Sequence, residues 1–139
     1  MRQLTALIIP VIFLISGCEK QPDFRNKYLG NWIFEIQREE IKDGGVLVNS
    51  DTSIHNGEIK YGDVSDEILL QFQGTNPHSP VTLRIDHGGK ILPKSYSSYT
   101  SITISYTGGF EGNNKLHYHY HLNHGIQTDI YETLTGEKE

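Results

Sequence analysis

Four histidines crowd one short stretch, His117, His119, His121 and His124. Imidazole nitrogen suits zinc, copper or nickel. Side chains two apart on a β-strand point the same way, with Cα atoms roughly 6.5–7 Å apart. His117, His119 and His121 therefore share one face, and two such rings can hold one ion between them. Asn123-His124-Gly125 suits a three-residue hairpin loop with glycine in the left-handed position. That register sets His119 opposite Asp129, His121 opposite Gln127 and His117 opposite Tyr131, which makes Asp129 a further candidate ligand. The plainer reading is a solvated outer face in which Asp129 makes a surface ion pair worth about 0–1 kcal/mol. A shallow site on an open sheet face lacks the walls that catalysis needs, so no metalloenzyme is expected.

Other chemistry is sparse. There is no Gly-x-Ser-x-Gly elbow and no glycine-rich phosphate loop leading into a helix. The carboxylate pairs Glu39-Glu40 and Asp66-Glu67 are adjacent in sequence, as charged strand ends are, and do not form a cross-cleft pair. The chain is read as a non-catalytic protein without a cofactor. Its 12 basic residues against 17 acidic ones argue against binding nucleic acid or docking electrostatically on anionic lipid.

The elements that would carry these residues alternate with period two, the signature of half-buried strands. Trp32, Phe34 and Ile36 open the series; Ile68, Leu70 and Phe72, then Val81, Leu83 and Ile85, continue it. Ile102, Ile104 and Tyr106 follow, then Leu116, Tyr118, Tyr120 and Leu122 between the histidines, and last Ile126, Thr128 and Ile130. Gly44-Gly45, Gly88-Gly89 and Gly108-Gly109 read as turns. Thr52–Tyr61 changes parity around Asn56-Gly57 and reads as one bulged strand in preference to a tight hairpin. No window shows a helical stripe. About eight short strands joined by short links imply an all-β fold, an antiparallel meander β-barrel or strongly curved sandwich.

The N-terminus has the three-part form of an export signal: Met1-Arg2-Gln3, an apolar run from Leu4 to Ile15, and Ile15-Ser16-Gly17-Cys18. The run is too short for a membrane-spanning helix. It resembles bacterial lipoprotein signals, whose lipobox ends in a cysteine that is acylated after cleavage. The resemblance implies removal of 1–17, lipidation of Cys18, a flexible tether over 18–27 and a β domain over 28–139. It also explains the single cysteine of an exported chain. Glu19 after the cysteine implies sorting to the outer membrane of the bacterial envelope.

Tyr28-Leu29-Gly30-Asn31-Trp32 resembles the first lipocalin motif, in which a Gly-x-Trp tryptophan closes one barrel end. The span Tyr28–Gly136 is similar to small lipocalin-like domains of outer-membrane lipoproteins, through Ile59-x-Tyr61-Gly62 and Phe110-x-Gly112. The later lipocalin motif is not matched: Thr128-Asp129-Ile130 falls on the last strand, and no arginine follows. The resemblance implies a binding module. Candidate ligand-lining residues are Trp32, Phe34, Tyr106, Tyr118 and Tyr120. An eight-stranded barrel is just wide enough to be filled by side chains or to hold one small ligand, and the bulky inward set favours a filled interior. The readings kept open are a carrier of a small apolar or amphipathic molecule, a structural lipoprotein docking on a larger envelope protein through outward Ile33, Leu69 and Tyr131, and a histidine-face metal carrier.

Overall fold

The computed structural model describes residues 21–42, 44–74, 80–93, 96–97, 102–124 and 128–139. Cys18 and the apolar N-terminal run lie outside these residues. A short 3-10 helix, Phe24–Lys27, precedes eight strands: β1 Gly30–Lys42, β2 Val46–Tyr61, β3 Glu67–Phe72, β4 Val81–Arg84, β5 Tyr96–Ser97, β6 Ile102–Glu111, β7 Lys115–His124 and β8 Thr128–Lys138. They form one antiparallel sheet in the order β4-β3-β2-β1-β8-β7-β6-β5. Each strand pairs with its neighbour in sequence except across β4–β5, and β1 also pairs with β8, Trp32 opposite Lys138.

The sheet edges meet at one end. Ile85 bridges Ile91, and Lys90 bridges Gly109 on β6. The Ile91 amide donates to the Gly108 carbonyl at 3.0 Å and the Phe110 amide to the Gly89 carbonyl at 2.9 Å. The result is an all-β, up-and-down curled barrel of lipocalin-like type. Gly108-Gly109, which reads as a turn in sequence, lies inside β6 at this closure. A Cβ on Gly109 would sit 2.9 Å from the Gly89 carbonyl oxygen and 3.1 Å from the Lys90 Cα. The glycines permit a close backbone crossing, and the chain reverses later, around Gly112.

Alternation assigns the faces. Trp32, Phe34 and Ile36 are buried while Ile33 and Gln37 are exposed. Tyr28, Trp32, Ile59, Ile68, Ile85, Ile91 and Leu116 fill the closed end. Tyr28 stacks on Phe110 at 3.8 Å, and the Trp32 indole donates to the Tyr28 carbonyl at 2.9 Å. This satisfies the ring's one polar atom inside an apolar layer. Thr52–Tyr61 lies within one strand, as expected, but that strand begins at Val46 and the irregular register falls at Glu40/Ile41 and not at Asn56-Gly57. Gly57 has a different role: a Cβ there would meet the Phe34 ring at 2.8 Å and the Gln71 carbonyl oxygen at 2.6 Å.

The expected tether over 18–27 is too long at its C-terminal end. Asp23 caps the 3-10 helix by accepting from the Arg25 amide at 2.9 Å. The Arg25 guanidinium is buried and donates to the Val64 and Glu67 carbonyls at 2.7 and 2.8 Å. An arginine in a polar stretch satisfies the carbonyls of the β2–β3 turn and fastens the segment beneath the closed end, so residues from Asp23 onward belong to the domain.

Candidate ligand cleft

The interior is not uniformly filled. Above the layer of Phe34, which contacts Phe72 edge to face at 5.1 Å, a cleft of about 530 Å³ opens. Its inner wall comprises Ile36 from β1, Phe72 from β3, Val81 from β4, Tyr106 from β6, Tyr118 and Tyr120 from β7, and Glu132 and Leu134 from β8. It reaches outward past Pro80 and Thr82 to Asp63 and Glu67. The expectation of a packed barrel therefore holds at the tryptophan end and fails at the tyrosine end.

Register explains the wall. Tyr120 stands opposite both Tyr106 and Glu132, and Tyr118 opposite Gly108 and Leu134. The three tyrosines form a cluster, Tyr106 lying 5.9 Å from Tyr118 and 5.6 Å from Tyr120 between ring centroids. A Cβ on Gly108, across from Tyr118, would collide with the His117 carbonyl, so glycine there lets β6 and β7 approach closely. Of the five candidate lining residues, Tyr106, Tyr118 and Tyr120 are brought together on the cleft. Trp32 and Phe34 are not part of it: both are fully buried in the layers below, where Phe34 lies against Gly57 and Gly136.

Glu132 was missed at the level of sequence. It is buried, and it stands opposite Arg38 with the carboxylate 3.6 Å from the guanidinium. The signal was present. The alternation Ile130, Glu132, Leu134 continues the inward face of the last strand, which runs to Lys138 and not merely to Ile130. Burial pushes the Tyr118 hydroxyl far above the usual phenol range, with Tyr106, Tyr120 and Glu132 adding to it. Tyr120 is raised by burial too, then by Tyr106 and Glu132, against an opposing effect of Arg38. Both phenols therefore stay neutral and can donate a hydrogen bond into the cleft.

The histidine face is arranged differently from expectation. The β7–β8 register places Asp129 opposite Asn123, His121 opposite Tyr131, His119 opposite Thr133 and His117 opposite Thr135. The expected pairing of His119 with Asp129 is thus displaced by four residues, although the faces are preserved. Asp129 instead contacts His121, Oδ1 to Nε2 at 3.0 Å, and accepts from Asn123 at 2.7 Å. The His121 ring stacks on Tyr131 at 4.3 Å. His119 turns to the Thr133 hydroxyl at 3.1 Å, and His117 lies 3.6 Å from Glu111. Among the described residues no three His, Cys, Asp or Glu side chains converge as a metal site. Of the outward docking candidates, Ile33 and Tyr131 are exposed and Leu69 is half-buried.

No known family matches the chain, and no curated protein does. Among solved structures, the monomer form of the M. tuberculosis PknI sensor domain is similar, with 14% identity, a TM-score of 0.48 and cover of 80% of this chain and 86% of that one. An odorant-binding protein, OBP1, has 14% identity, a TM-score of 0.42 and cover of 81% and 72%. The bovine lipocalin allergen Bos d 2 has 17% identity, a TM-score of 0.36 and cover of 81% and 73%. The lipocalin-like description rests on this chain's own strand order and register.

Proposed function

We infer that this chain is a lipid-anchored lipoprotein of the bacterial envelope whose barrel holds a small amphipathic molecule in the tyrosine-lined cleft, without catalysing a reaction on it. The observation that carries this reading is the uneven interior: solid around Trp32, open around Tyr106, Tyr118 and Tyr120. Ligand sites are concave, with placed polar groups, and about 300–1,000 Å³ in volume; the cleft is of that size, and its wall combines tyrosines and carboxylates with Ile36, Phe72 and Leu134. The lipobox motif supports acylation of Cys18 and export, with the outer membrane as destination. From Cys18 to the docked Asp23 the chain spans roughly 18 Å at most. The acyl chains would then hold the closed end towards the bilayer and leave the tyrosine end facing away from it.

Native mass spectrometry of the protein purified from envelope extracts tests both parts. A covalent mass on Cys18 matching acyl chains supports the anchor, and an unmodified thiol overturns it. A non-covalent mass of a few hundred daltons, lost on replacing Tyr118 and Tyr120 with alanine, supports the carrier. An unliganded mass together with failure to bind any added amphiphile overturns it. In that case the docking reading would rest on exposed Ile33 and Tyr131.

A further inference from the structure

The cleft's wall is acidic, although Arg38 pairs with Glu132 and Arg84 stands opposite Glu67 behind it. Among the described residues its wall carries three carboxylates, Asp63, Glu67 and Glu132, and no lysine or arginine. Arg38 approaches Glu132 to 3.6 Å but is not part of the wall. Glu132 is buried beside the tyrosine cluster, directly across from Tyr120. Aromatic faces carry negative electrostatic potential and attract cations, most strongly where water is excluded. A buried carboxylate next to such faces adds to that potential, whereas an anionic head group in the same place would be repelled. Burial is the main cause of the raised Tyr118 and Tyr120 hydroxyls; Glu132 adds to it, and Arg38 opposes it at Tyr120.

We propose that the cleft selects amphiphiles bearing a positively charged nitrogen, a quaternary ammonium or protonated amine, with Tyr106, Tyr118 and Tyr120 around the cation, Glu132 as its counter-charge, and Ile36, Phe72 and Leu134 against the apolar tail. This rests on the carrier reading and names the chemical class of its ligand. The ligand cation shares Glu132 with Arg38, and no covalent step is involved.

The test compares octyltrimethylammonium, 1-octanol and octanoate, which share one chain length and differ in head group. Each is titrated by calorimetry into the full-length protein in phosphatidylcholine nanodiscs, with empty nanodiscs subtracted. The cation is expected to bind about tenfold or more tightly than octanoate. Glu132→Gln should remove most of that preference, read as the ratio of cation to octanol affinity within each variant. Tyr120→Phe, which keeps the ring, should retain the preference, and Tyr120→Leu should weaken cation binding several-fold; this arm decides the matter if Glu132→Gln unfolds. Octanoate binding as tightly as the cation, or a preference that survives both Glu132→Gln and Tyr120→Leu, overturns the proposal. If octanol binds and head group makes no difference, the carrier reading stands and the cation preference fails. If none of the three binds to folded protein, the carrier reading itself fails.

Discussion

Replacing Arg25 with alanine removes the buried guanidinium that fastens the N-terminal segment beneath the barrel. Its guanidinium donates to the Val64 and Glu67 carbonyls at 2.7 and 2.8 Å and to the Asp23 carboxylate at 2.9 and 2.6 Å. It also lies over the Tyr61 ring at 4.6 Å. The Arg25 side chain is only 9% exposed, against 33% for Asp23. Removing one member of a buried ion pair costs about 3–5 kcal/mol, because the other charge stays behind without compensation. Two features reduce that here. Asp23 is exposed enough to be rehydrated, and the two carbonyls keep backbone donors, Val64 from Glu67 at 3.0 Å and Glu67 from Gly62 at 2.9 Å. The expected loss is therefore about 3 kcal/mol, at the lower edge of that range. In urea unfolding followed by tryptophan fluorescence, the midpoint should fall by roughly 1–2 M with an unchanged m-value. Asp23→Asn should cost less, and the double variant should cost less than the sum of the two, since both act on one interaction. A loss under about 1 kcal/mol for Arg25→Ala, or full additivity with Asp23→Asn, would refute the claim that this segment is part of the folded domain.

The same pair predicts an acid limb. Hydrogen bonding from Arg25 lowers the Asp23 carboxyl from 3.8 to about 2. A lowered folded-state pKa favours folding when the group is ionised, so the contribution is complete above about pH 4 and is lost as pH falls through about 2. Urea midpoints should show this decline in the parent protein and less of it in Arg25→Ala. Gly136→Ala should destabilise the barrel by about 1–3 kcal/mol through overpacking, because its Cβ would lie 2.9 Å from Phe34 Cδ1 and 3.3 Å from Trp32 Cε3; Phe34→Leu in the same chain should recover part of the loss in thermal denaturation. Replacing His117, His119 and His121 together with alanine should change stability by no more than about 1 kcal/mol, and zinc titration of the parent should show no saturable heat abolished by that variant. Cys18→Ser should leave the barrel's circular dichroism unchanged and remove the protein from the membrane fraction; retention there with an unmodified serine would refute acylation as the anchor.

Much of the architecture was legible because alternation in an antiparallel sheet is a local property. Trp32, Phe34 and Ile36 had to share a face wherever the neighbouring strands came from, and so did Tyr118 and Tyr120 between outward histidines. The Gly-x-Trp opening likewise announced a plugged barrel end. Parity also survived an error in register: moving β8 by four residues against β7 keeps every side chain on its face, since a shift by an even number of residues preserves the pleat. Only the cross-strand partners changed, which moved Asp129 from His119 to His121.

Tertiary structure alone decided the rest. Gly108-Gly109 carries the local composition of a turn, yet it sits where β6 meets the Gly89–Ile91 backbone, a contact between segments about twenty residues apart that no local pattern encodes. Arg25 looks like part of a solvated tether until the carbonyls of Val64 and Glu67, some forty residues away, are placed above it. Whether a set of bulky inward residues fills a barrel or leaves a cleft depends on how the layers stack. Phe34 fits between its neighbours because Gly57 and Gly136 flank it on adjacent strands, whereas Tyr106, Tyr118 and Tyr120 border an open cleft. Glycine reads as a weak position within a strand; only the packing shows where its missing side chain is occupied by a ring, as at Gly57 and Gly136, and where it admits a neighbouring backbone, as at Gly108 and Gly109.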